Sequence, residues 1–233
     1  MSRNQIPTIA CINKATVDLE VDFDDLIAAL QKFVDRDFAP VWGTPAKLVK
    51  ATKDMPGAWT LIFMDNAEKA KSIGHHDLTK DGLPNSKIFV ESSLQCGEQI
   101  SVVACHELAE TLIDPGANMW CIGPGEALYA YEVCDAVEEQ PYDIDGIAMS
   151  NFVYPAYFES FRKSPTQFDH LNKVKRPFQI LHGGYLQVCK GKRVKKMFGS
   201  GQKEMRFHKE DRRLHRSEYR EAQLKKPKTR NRR

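Results

Sequence analysis

Apolar and polar positions along the chain change period several times, and each change predicts an element. Residues 15–23, "ATVDLEVDF", alternate apolar with acidic side chains and predict a strand. In "FDDLIAALQKFVDRDFAPVWG" the apolar positions Phe23, Leu26, Ile27, Leu30, Phe33 and Val34 fall on one face of a helix, which "APVWGTP" stops. "AKLVKAT" and "WTLIFMD" predict strands separated by the turn-like "KDMPGA", the second apolar enough to lie inside a sheet. "SKIFVES" predicts another strand, reached through "HHDLTKDGLPN", which reads as a loop rich in turn formers. Residues 101–115, "SVVACHELAETLIDP", hold Val102, Val103, Ala104, Leu108, Ala109, Leu112 and Ile113 with no glycine. They predict a buried helix that ends at Asp114, because the residue before a proline is pushed out of the helical region. The order strand, helix, three strands, helix predicts an α+β class with a mixed sheet.

Past Pro115 the pattern weakens. "GANMWCIGPGEA" reads as loop and "LYAYEVCDAVE" as a short strand or helical turn, while "MSNFVYPAYFESF" supplies aromatics to cover the first half. "RPFQILHGGYLQV" predicts a strand, a Gly-Gly turn and a strand. No internal repeat is present.

A chain of 233 residues with 42% hydrophobic content predicts one sizeable domain with an appendage. The charge places the boundary. From Lys190 onward there are 18 Lys or Arg against 5 Asp or Glu, a net +13 in a chain that totals +3, which leaves −10 on residues 1–189. An acidic domain, 1–189, with a basic C-terminal arm, 190–233, is the expected organisation. The start carries no signal-like apolar run and no stretch is long enough to span a membrane, so the expectation is a soluble cytoplasmic protein, or a virion component if phage-encoded. Six cysteines without a CxxC pair are expected to be free thiols.

Within the buried helix, "HELAE" is costly. Ionised carboxylates in a low-dielectric site need a partner, and no Lys or Arg occurs between Lys87 and Arg162. A metal ion is the candidate counter-charge. Residues four apart on a helix project side by side, so His106 and Glu110 can hold one ion between them, while Glu107 points to the neighbouring flank. This resembles the HExxH helix of the zincin metallopeptidases, with Glu110 in place of the second histidine. The longer pattern "HELAE…DP…W…E…D" is similar to that of uncharacterised bacterial and phage zincin-like proteins, and more distantly to the phosphate-induced exordium-like group. The resemblance implies a zincin-like fold in which a mixed sheet carries an active-site helix. It also implies His106, Glu110 and Glu132 as zinc ligands, Glu107 as general base in peptide hydrolysis, and Asp135 behind a ligand. Asp114 is a spare oxygen donor one turn past Glu110. Mn2+ or Fe2+ is a possible ion where two of the ligands are carboxylates. In zincins the strand before the active helix lines the cleft, a place that "SKIFVES" holds in this sequence.

Other residues admit two readings. His75 and His76 are cleft residues, extra ligands or simply solvated loop histidines, and His182 or Tyr185 near "HGGY" could support an oxyanion. Cys105 and Cys134, beside the proposed site residues, read as core. In the arm, Arg212, Arg213, Arg216, Lys225 and Lys226 would bind nucleic acid by counterion release or dock a protein partner; the bland alternative is a solubilising extension. Residues 201–224 could form a charged helix that Pro227 closes. Two functions compete: a metal-dependent hydrolase acting on a peptide or protein substrate, and a non-catalytic assembly protein that keeps the metal-site fold and docks through its tail.

Overall fold

The structure, a computed structural model, describes residues 6–66, 73–191 and 193–200. Its first half is a five-stranded sheet. The strands are β1 (Thr8–Asn13), β2 (Lys47–Ala51), β3 (Trp59–Met64), β4 (Gly74–Leu78) and β5 (Pro84–Phe89), in the order β2-β1-β3-β5-β4. All neighbours are parallel except β4, which runs antiparallel to β5. The period of two sorts β1 between faces: Ile9 and Cys11 join the main core with Leu61, Phe63 and Ile88, while Ala10 and Ile12 meet Ala58 and Ile62 on the other side. Central strands covered on both faces read as continuous apolar runs, which is why "WTLIFM" stood out in the sequence.

Helix α1 (Phe23–Lys32) forms the crossover between β1 and β2. Asp22 caps it, accepting from the amides of Asp24 and Asp25 at 2.8 and 3.0 Å, and Asp24 and Asp25 sit in the first turn where the helix dipole favours them. The helix widens into a π-type turn at Phe33–Phe38, continues as α2 (Ala39–Trp42), and ends at Gly43 with φ 70°. Phe33 and Phe38 pack on Phe152 with ring centroids 5.5 and 4.9 Å away, so aromatics of the second half do cover the first.

Two short helices follow β5: α3 (Val90–Gln95), then α4 (Ile100–Ile113), which lies against β4 and β5. Beyond α4 a smaller antiparallel sheet, in the order β11-β10-β7-β6, comprises β6 (Trp120–Ile122), β7 (Leu128–Ala130), β10 (Tyr185–Lys190) and β11 (Arg193–Phe198). The hairpin of β8 (Tyr142–Ile144) and β9 (Ile147–Met149) rests on α4. The fold is mixed α+β with a mixed sheet, and among the described residues no helix is long and apolar enough to cross a membrane.

Several expectations are corrected. The first strand is residues 8–13, not 15–23. Segment 15–22 is a loop whose amides are served by a side chain: Asp65 accepts from the amides of Thr16 and Val17 at 2.7 and 2.9 Å and from the Thr16 hydroxyl at 2.8 Å. The segment expected as a loop, 75–85, is mostly a hairpin, because pairing with β5 satisfies the backbone of a strand whose own side chains are polar. The strand expected over 86–92 stops at Phe89, where α3 begins, and it lies between β3 and β4, so β4 and not β5 ends the sheet. Within the expected loop 116–127, residues 120–122 form β6.

The Gly-Gly pair is not a hairpin turn. A Cβ on Gly184 would fall 2.4 Å from the Ala136 carbonyl oxygen, so the pair permits close packing on a 3-10 turn, Asp135–Val137, while the hairpin lies between β10 and β11. Strand β11 carries the second sheet to Phe198. Arg212, Arg213, Arg216, Lys225, Lys226 and the expected charged helix lie outside the described residues.

The π-type turn holds Asp37, 8% exposed, which accepts from Arg36 Nε and Nη2 at 2.7 Å each and from the Tyr142 hydroxyl at 2.7 Å. Burial works against the charge, but the Arg36 and Tyr142 hydrogen bonds outweigh it and hold the carboxyl below its ordinary range. The resulting stability is present above the unfolded aspartate pKa and is lost as pH falls through the lowered folded value. Asp37→Asn should therefore weaken the fold near neutral pH, by about 1–3 kcal/mol for lost charge-assisted bonds, and flatten the acid limb below the unfolded aspartate pKa. Urea unfolding across that range checks it; an unchanged acid limb assigns the acid sensitivity to other groups.

Candidate metal centre

Helix α4 is buried on almost every side, including its polar positions: His106 is 6% exposed, Glu107 3% and Glu110 0%. The helical spacing does what it predicts. His106 Nε2 stands 3.0 Å from Glu110 Oε1. A second carboxylate faces the same nitrogen, Asp135 Oδ1 at 3.4 Å, brought in by the 3-10 turn at residues 135–137. Cys134, one residue earlier, places its sulfur within 4.8 Å of the donor atoms of His106 and Glu110. Donors bound at ~2.1 Å around a tetrahedral ion stand about 3.4 Å from one another, so the separations among these groups suit one shared cation.

The segment that carries Cys134 and Asp135 is held from two directions. The Val153 amide donates to the Val133 carbonyl at 2.8 Å, and the Leu181 amide donates to the Ala136 carbonyl at 3.0 Å, with Gly184 in close contact with the same carbonyl. Tertiary packing therefore fixes the downstream donors against the helix.

A third set of donors comes from β4. His76 is buried, and its Nδ1 lies 3.3 Å from Glu107 Oε2 and 4.0 Å from Glu110 Oε2. Its Nε2 lies 3.0 Å from the Asp114 carbonyl oxygen. Opposite Glu107 the strand has Gly74, where a Cβ would stand 2.8 Å from Glu107 Oε1. The absence of a side chain there lets Glu107 reach the strand.

The electrostatics follow from crowding. Burial opposes a charged His106, yet the Glu110 carboxylate and the hydrogen bonds to Asp135 and Glu110 outweigh it and raise the imidazole well above its ordinary value. The Cys134 thiol is pushed well up, by burial first and then by the charges of Glu110, Cys105 and Asp135. A thiolate at Cys134 thus calls for a cation beside it.

Among the expected residues, the structure brings His106, Glu107 and Glu110 together and sets Asp135 against His106. Glu132 is 1% exposed on the same segment, two residues before Cys134, and Cys134 and His76 each stand in a cluster of donors with Glu110. The Asp114 carboxylate accepts from the amides of Asn118 and Met119 at 3.0 and 2.8 Å and shapes the turn after α4. His75 pairs with Asp77 at 3.8 Å and lies against Phe89, on the other side of β4 from His76. His182 is exposed beside Glu139, and Tyr185 is buried in β10 against Phe198. Cys105 and Cys134 are both buried in the core, as expected, and Cys134 also stands among the donor atoms of His106 and Glu110. The sequence signal for Cys134 was its place in "YEVCD", between two acids already suspected, and for His76 it was only residue type.

Replacing Gly74 by alanine should force Glu107 away from β4, at a stability cost of about 1–3 kcal/mol typical of overpacking. Thermal unfolding measures the cost, and an unchanged midpoint would show that Glu107 moves aside freely. No protein-family model, curated protein or solved structure matches the chain.

Proposed function

We propose that the chain is a metal-dependent hydrolase, with zinc as its ion and a peptide carbonyl as the group attacked. The observation that carries this reading is the convergence of donor atoms from His106, Glu110 and Cys134, with Asp135 against His106 and Glu107 on the adjoining flank of the same helix. The donors fit the ion: one imidazole, one thiol and carboxylates match zinc, and the thiol makes the softer zinc a better choice than Mn2+. This chemistry, together with the zincin resemblance of "HELAE", favours a zincin-like arrangement of helix and sheet.

When bound, the ion supplies Lewis acidity toward the substrate carbonyl. The chain supplies the rest. His106, Glu110 and Cys134 hold the cation, and Asp135 either joins them or orients His106. Glu107 accepts the proton of the attacking water at its carboxylate and returns it to the leaving amine. Strand β4, last in the order of the sheet and adjacent to α4, is the element along which an extended substrate would lie, in place of the β5 segment expected from the sequence.

One observation favours a second reading. Structural metal sites are closed, and here the Glu110 side chain is 0% and the His106 side chain 8% exposed. In that case the ion clamps the 132–137 segment onto α4 and the protein acts by binding or assembly.

Elemental analysis and a peptide-library assay on the purified full chain separate these readings. The hydrolase reading expects stoichiometric zinc that His106→Ala removes. It also expects Glu107→Gln to keep the ion at His106 while turnover falls ~10²-fold or more, the range of acid–base catalysis. Zinc without hydrolysis of any peptide establishes the structural reading, and absence of stoichiometric metal overturns both.

A further inference from the structure

We infer that the site holds a second divalent cation, bound by His76 Nδ1, Glu107 and Glu110, with Glu110 bridging it to the first. This rests on the metal centre proposed at His106. The three residues place donor atoms within 4.8 Å of one another, and Glu110 belongs to both clusters. Its two oxygens divide between them: Oε1 is 3.0 Å from His106 Nε2, and Oε2 is 4.0 Å from His76 Nδ1. A carboxylate turned this way offers one oxygen to each of two ions, as two-metal sites with ions about 3.5–4 Å apart require.

The tautomer of His76 supplies the independent observation. Its Nε2 faces the Asp114 carbonyl at 3.0 Å, and a carbonyl can only accept, so Nε2 carries the proton. Nδ1 is then the atom that faces Glu107 Oε2, 3.3 Å away, with Glu110 Oε2 at 4.0 Å. That gap between one imidazole nitrogen and two carboxylates is where a cation would sit. A histidine whose remote N–H is fixed by a backbone carbonyl while its other nitrogen joins carboxylates is the usual arrangement of a metal-ligating imidazole. Gly74 completes the cradle, since any Cβ there would displace Glu107. One imidazole with two carboxylates is a harder donor set than the first, suited to Zn2+ or Mn2+. Filled, this position makes Glu107 a ligand; empty, it leaves Glu107 as the base.

The rival occupant of the same gap is a proton shared by His76 and Glu107, and metal stoichiometry separates the two. The full chain is stripped with chelator and titrated with Zn2+, and separately with Mn2+ followed by electron paramagnetic resonance. Two equivalents bind in the parent, the two Mn2+ ions give an exchange-coupled spectrum, and both His76→Ala and the near-isosteric Glu107→Gln retain one equivalent. One equivalent in the parent, or two retained in either folded variant, overturns the second position and leaves the first intact. No equivalent at all overturns the first centre and this inference with it. If His76→Ala does not fold, Glu107→Gln alone decides.

Discussion

Burying Glu110 in the middle of a helix that has no exposed face is the constraint around which the rest of this molecule is arranged. A carboxylate at 0% exposure is tolerated only where something of opposite charge or strong donor character is held against it. Here the helix supplies His106 one turn earlier, and two other elements bring further polar groups to the same place. The five-stranded sheet contributes β4 with His76, and the loop after β7 contributes Cys134 and Asp135. Each lies far from α4 in sequence or is separated from it by other elements, so the site forms only when both sheets are assembled.

Two glycines show how tightly that assembly is specified. Gly74 lets Glu107 approach β4, and Gly184 lets the second sheet approach the turn that holds Asp135. Neither contact tolerates a Cβ without displacement. The first sheet thus packs directly on α4 while the second packs on the 135–137 turn, and the polar groups of β4 and of that turn meet near His106 and Glu107. Preorganisation of this kind suits a metal site, where donors must stand at fixed separations before the ion arrives.

How much of this was legible depends on how local each feature is. Helix α1, strands β2 and β3 and helix α4 were readable because their apolar spacing repeats within ten to twenty residues. Strand β4 was not, because "GHHDL" is polar and becomes a strand only through pairing with β5. The exposed acids of 18–25 alternate like a strand, yet Asp65 and the cap at Asp22 make that stretch a loop and a helix start. Gly183 and Gly184 look like a hairpin turn in sequence and are a packing contact in space.

The sequence by itself determined the α+β class, the buried helix, and the pairing of His106 with Glu110, since helical geometry alone sets side chains four residues apart on one face. Only the tertiary structure decided which distant groups complete the cluster. Whether Glu132, Cys134 or Asp135 turns toward the helix depends on a 3-10 turn held by Val153 and Leu181. Whether His75 or His76 joins depends on which face of β4 meets α4. Asp114 shows the same limit: its carboxylate accepts from the amides of Asn118 and Met119 in the turn after α4, a contact that helical spacing does not reveal. Spacing fixes neighbours along one element, but long-range packing fixes which elements become neighbours.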